Sequence, residues 1–128
     1  APAADPVAAM ERFARALWLG ASFPKRIAQW LERETRVPVE ALQAHRTAPR
    51  IGRPALIVHD VGDREVPWDE GERYARLWPG ARMLSTHGLG HHRVADDPDV
   101  IAAALRFLRG EPVGAPAVSS LNLPFGLA

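Results

Sequence analysis

The chain has no cysteine, one lysine, one tyrosine and no long apolar run. Without cysteine there are no disulfides, thiol nucleophiles or thiolate metal sites, and the redox compartment stays open. Lys25 is the only lysine, and the other fifteen basic residues are arginines. With abundant alanine and proline, that bias fits the codon usage of a GC-rich gene, so the arginines carry no functional reading as a group. No stretch approaches the roughly 20 apolar residues that cross a bilayer, and nothing has the pattern of a signal peptide. Sixteen basic residues against fifteen acidic ones leave a net charge of +1. That balance offers neither the basic footprint of a nucleic-acid binder nor a polybasic membrane patch. The expectation is a cytoplasmic protein whose partners include neither nucleic acid nor membrane.

What is present suffices for one ordinary domain: 128 residues, 47% of them hydrophobic. The sequence starts "APAADP" rather than with Met, which suggests a processed chain or part of a larger one. Asp5-Pro6 reads as a helix start, Asp as cap and Pro at the first helical position. Met10, Phe13 and Leu17 follow on one face, and Gly20 is expected to close that helix. Ser22 reads as the N-cap of a second helix over about 23–36, with Ile27, Trp30 and Leu31 on one side and Val37-Pro38 ending it. A short helical turn and a loop fill 39–54.

"PALIVHD" (54–60) changes the pattern. A nearly unbroken apolar run without polar alternation suits a strand buried on both faces, as in a parallel sheet. A loop, a helix over 69–78 with Tyr74, Leu77 and Trp78 inward, and a strand "ARMLST" (81–86) follow. After "HGLGHH", Asp97-Pro98 caps a last helix whose Val100, Ile101, Ala104, Leu105 and Leu108 are expected to face the core. Residues 111–128, rich in Pro, Gly, Ala and Ser, read as an irregular tail, with Leu123 or Phe125 as possible pins. The order strand, helix, strand, helix argues for an α/β fold with parallel crossovers. Asp63 and His91 both lie in loops after the carboxyl ends of strands, where open α/β sheets put their ligands. Two adjacent parallel strands would bring those loops side by side.

The stretch "PALIVHDVGDREVPWDEGERYARLWPGARMLSTHGLGHHRVADDPDV" resembles the C-terminal part of the α/β-hydrolase superfamily. The pattern before the family's acid corresponds here to Pro54, Leu56, Ile57, Asp60, Asp63, Val66 and Pro67, with the acid at Asp63. The family's "G-x-G-H" loop corresponds to Gly88-Leu89-Gly90-His91, and the order of acid then histidine agrees. The resemblance covers about residues 54–108 and is specific in combination. It implies a C-terminal α/β-hydrolase portion: two parallel strands with flanking helices (51–110), preceded by lid-like helices (1–50). "APAADP" resembles the segment just after the family's sixth strand. By resemblance, Asp63 is the triad acid and His91 the base of a serine esterase or lipase acting on carboxylic esters, with no cofactor. Gly88 and Gly90 would let the backbone bend enough to aim His91.

The family's G-x-S-x-G nucleophile motif and its glycine-rich oxyanion loop are both absent. The serines are Ser22, Ser85, Ser119 and Ser120, none in such a setting. This chain alone is therefore expected to be inactive on esters, its nucleophile lying elsewhere. Two other readings stand beside this one. The first is a non-catalytic hydrolase-like module that self-associates or pairs with a missing N-terminal half. The second is a metal site built on His87, His91 and His92, against which the intervening glycines argue. His92 reads as a structural or solvent-facing neighbour, Asp60 as a hydrogen-bonder of the loop or of the residues behind the site, and the four tryptophans as core or lid packing. The strand 54–60, with only 81–86 to pair with, predicts a chain that is not a free monomer.

Overall fold

The apolar run forms a strand, β1 (Ala55–Asp60), in the computed structural model, which describes residues 2–117. β1 runs parallel to β2 (Ala81–Thr86), in register from Ala55 opposite Ala81 to Asp60 opposite Thr86. The link between them is α4 (Trp68–Leu77), preceded in the chain by α1 (Pro6–Ala16), α2 (Phe23–Thr35) and the one-turn α3 (Ala44–Thr47). After β2 come the single turn α5 (Gly90–Arg93) and the longer α6 (Pro98–Leu108). The architecture is α/β: helices around a small mixed sheet.

The third strand was not expected. Ala115–Pro116, in the segment read as irregular, forms β3 and pairs antiparallel with β2 at Arg82 and Met83. Gly114 makes this possible: it sits at φ +71, and a Cβ there would lie 2.5 Å from Met83 O. Arg82 fixes the approach by donating to the carbonyls of Val113 and Gly114. The strand order is β1-β2-β3, so β3 covers the outer edge of β2 while β1 pairs with β2 alone among the described residues. Leu123, Phe125, Ser119 and Ser120 lie outside the described residues.

Helix starts follow the sequence reading where aspartate leads. Asp5 accepts from Val7 and Ala8, and Asp97 accepts from Asp99 and Val100. Ser22 departs from it and makes no side-chain cap. Its backbone is already helical, and Pro24 removes one of the N–H groups a cap would receive. The first helix also ends earlier than expected. Trp18, at φ 56, takes the left-handed position usually given to glycine, with Trp18 N–H on Arg15 O and Leu19 N–H on Ala14 O.

The inner faces are smaller than the sequence suggested. Ala55, Ile57, Ala75 and Ala81 form the core under the sheet, with Tyr74, Trp78 and Met83 packed on it. In α6 the half-buried face is Val100, Ala103, Ala104 and Phe107. Ile101, Leu105 and Leu108, expected inside, are 46%, 49% and 79% exposed. The helix is apolar around most of its circumference, so periodicity could not choose between its faces. Phe13, Leu17 and Trp30 likewise point outward. The first helix is tied on by a buried carboxylate: Glu70 of α4 accepts the backbone N–H of Ala4 and Asp5 and meets Arg12 at 3.5 Å. None of the described helices is long and apolar enough to cross a membrane.

Candidate active site

Asp63 lies three residues past the end of β1 and His91 five past the end of β2, so parallel pairing delivers both to one end of the sheet. They meet there: His91 Nδ1 is 2.8 Å from Asp63 Oδ2. A carboxylate only accepts, so Nδ1 carries the proton and donates it. In the neutral ring Nε2 is then a bare lone pair. The His91 side chain is 26% exposed, and it borders an open cleft of about 300 Å³ with Gly62, Arg64, Glu65, Gly88 and Arg93.

Asp63 is held by its own loop. Asp63 Oδ1 accepts the backbone N–H of Glu65 and of Val66, each at 2.9 Å. Burial pushes the carboxyl up, but the Val66 N–H, the His91 ring and the Glu65 N–H outweigh it and hold it below its usual value. Asp63 is therefore a settled carboxylate, the form that orients an imidazole and stabilises its protonated state.

Asp60 holds the two loops together. It is fully buried, and its Oδ1 accepts from Gly62 N–H at 2.9 Å. Its Oδ2 accepts from Thr86 Oγ1 at 2.8 Å and from Leu89 N–H at 2.9 Å. Burial again raises the carboxyl, yet the N–H of Leu89, the Thr86 hydroxyl and the N–H of Gly90 and Gly62 bring it down to about 2. Past this anchor, Gly88 (φ 80) and Gly90 (φ 67) both take left-handed backbone, and Arg93 closes the turn by donating to the carbonyls of Gly88 and Leu89. The backbone thus bends sharply at both glycines, and His91 leaves from a single helical turn.

His92 points away: its Nε2 pairs with Glu65 at 2.7 Å on the exposed rim, and its ring stands edge-on to His91. Among the described residues no three or more His, Asp or Glu side chains are grouped to hold a metal ion. Ser85 Oγ accepts from Trp68 Nε1, and neither Ser85 nor Ser22 is hydrogen-bonded to His91.

Two contributors escaped the sequence reading. His59, a polar residue inside an apolar strand, is fully buried with Nε2 2.9 Å from Val66 O and 3.4 Å from Asp63 Oδ2. Gly71, inside α4, gives that ring its room. A histidine directly after "ALIV" and four residues before Asp63, and a glycine in mid-helix where it costs about 1 kcal/mol against alanine, were the available signals. The chain matches no protein-family model, and no curated protein or solved structure matches it.

Proposed function

We propose that this chain supplies the acid and base of a serine hydrolase of the α/β-hydrolase type acting on carboxylic esters. Asp63 is the acid, His91 the base, and the serine comes from a G-x-S-x-G segment outside this sequence. The observation that supports this reading best is the 2.8 Å contact between His91 Nδ1 and Asp63 Oδ2 at the carboxyl ends of adjacent parallel strands. That contact fixes the tautomer a general base needs: proton on Nδ1 against the carboxylate, lone pair on Nε2 for the nucleophile's proton. His91 then receives the serine proton as the hydroxyl attacks the ester carbonyl, and returns it to the departing alcohol. Asp63 stays ionised throughout and balances the imidazolium. No cofactor takes part.

Fluorophosphonate labelling of the native assembly containing this chain is the test. The expected label sits on a serine of a G-x-S-x-G motif and not on Ser22 or Ser85. An assembly that takes no label, or one labelled at Ser22, contradicts the reading.

A second reading, a module that acts by association, draws on a different observation. Ile101, Leu105 and Leu108 form an exposed apolar stripe on α6, and β1 has a strand neighbour on one side only among the described residues. Each large side chain buried on association would contribute about 1.5–3 kcal/mol at most. Such surface suits pairing with a second copy or with an N-terminal half.

A further inference from the structure

We propose that His59 is a positioning residue for the Asp63–His91 pair, an imidazole that braces the Asp63 loop from its buried side through the Val66 carbonyl. Its catalytic purpose rests on the hydrolase reading above; the hold itself rests on geometry.

The His59 ring presents Nε2 to the Val66 carbonyl at 2.9 Å, and the same nitrogen touches Asp63 Oδ2 at 3.4 Å without a hydrogen bond to it. A carbonyl can only accept, so the neutral ring carries its proton on Nε2. That leaves Nδ1 bare, and it is buried without a hydrogen-bond partner among the described residues. An unsatisfied buried polar atom calls for a reason. Simple filling of space does not supply one, because an apolar side chain would fill it with no orphaned atom. What histidine adds is the Nε2–H.

That N–H closes a circuit. His59 takes the C=O of Val66, while the N–H of Val66 goes to Asp63 Oδ1. Asp63 Oδ2 then lies between the two imidazoles, 3.4 Å from His59 Nε2 and 2.8 Å from His91 Nδ1. Turning the carboxylate away from His91 would break the bond to Val66 and leave His59 facing the carbonyl alone. Behind the ring, a Cβ on Gly71 would fall 2.2 Å from Nδ1, so the backbone of α4 is a wall that keeps the imidazole pressed toward the acid loop. A carboxylate whose loop is braced in this way, through the C=O and N–H of Val66, does not need substrate to organise it.

The test reads the tautomers by long-range ¹H–¹⁵N correlation spectra of the full chain near neutral pH. In the unaltered chain His59 is expected as the Nε2–H form and His91 as the Nδ1–H form. His59→Leu, with its fold verified by the backbone spectrum, is expected to lose the single Nδ1–H signature of His91. His59→Gln, which keeps an N–H near the same place, is expected to restore it. Gly71→Ala should move His91 in the same direction as His59→Leu. A proton on Nδ1 of His59 in the unaltered chain overturns the proposal, and so does a folded His59→Leu chain in which His91 is unchanged. If His59→Leu does not fold, a mixed His91 tautomer in His59→Gln overturns it; if neither folds, the His59 tautomer of the unaltered chain decides. None of these readings needs turnover, so failure here leaves the hydrolase reading standing, and failure of the hydrolase reading leaves the hold on Asp63 intact.

Discussion

Asp60 accepts the backbone N–H of Leu89 at 2.9 Å, so one carboxylate at the end of β1 anchors the loop that carries His91. The same group takes the Thr86 hydroxyl and the N–H of Gly62, and therefore grips both loops of the site at once. Asp60→Asn keeps the shape but turns one acceptor into a donor, which must then face Leu89 and Thr86 or Gly62. The expected outcome is a lower melting temperature and faster amide exchange at Leu89. Wild-type exchange at Leu89 in the variant would remove Asp60 from this role.

Acid should loosen the same region. A carboxyl whose value is lower in the folded chain than in the unfolded one stabilises the fold above its unfolded value, and that stability is lost as pH falls through the folded value. Asp60 drops from 3.8 to about 2, and Asp63 is lowered too. Stability from these two groups is thus complete above roughly pH 4 and lost toward pH 2. Urea unfolding at several pH values across that window should show the decline, and Asp60→Asn should flatten it. A stability that rises on acidification would contradict the assignment.

Much of this was legible in the residues. The strands and their parallel pairing followed from an apolar run and a second short strand, and two loops after those strands were expected side by side; the contact of Asp63 with His91 itself was expected from the resemblance. The faces of α6 were not legible, because Val100, Ala104 and Phe107 alternate with Ile101, Leu105 and Leu108 around a helix that is apolar on both sides. β3 was hidden because two residues carry no periodicity, and the pairing depends on a left-handed Gly114 and on Arg82 reaching the carbonyls behind it. His59 was missed because its partner Val66 O is a backbone atom, invisible to any reading of side chains.

Trp18 holds a left-handed φ of 56 and is 96% exposed, so its side chain returns little for the strained backbone. Trp18→Gly should stabilise the chain by about 1–2 kcal/mol, the cost of that conformation for a residue with a Cβ. Thermal unfolding of the two chains side by side measures it. A destabilised variant would mean that the Trp18 side chain is covered in solution.

Association should be visible without any ligand. With Ile101, Leu105 and Leu108 exposed and the buried apolar residues mostly alanines, the chain is expected to run above 14.0 kDa by light scattering at micromolar concentration. Leu105→Lys together with Leu108→Lys should return it toward the monomer mass. A monodisperse 14.0 kDa species with a cooperative melt contradicts the expectation.

The acid–base assignment is tested most directly by ester turnover of the native assembly carrying His91→Ala or Asp63→Asn in this chain. With a short-chain p-nitrophenyl ester, Asp63→Asn should lower kcat about 10⁴-fold, as loss of the orienting carboxylate does in serine hydrolases, and His91→Ala at least as much. The isolated chain should give no turnover above buffer. Turnover that survives His91→Ala, or that the isolated chain sustains alone, would contradict the assignment of His91 and Asp63 as base and acid.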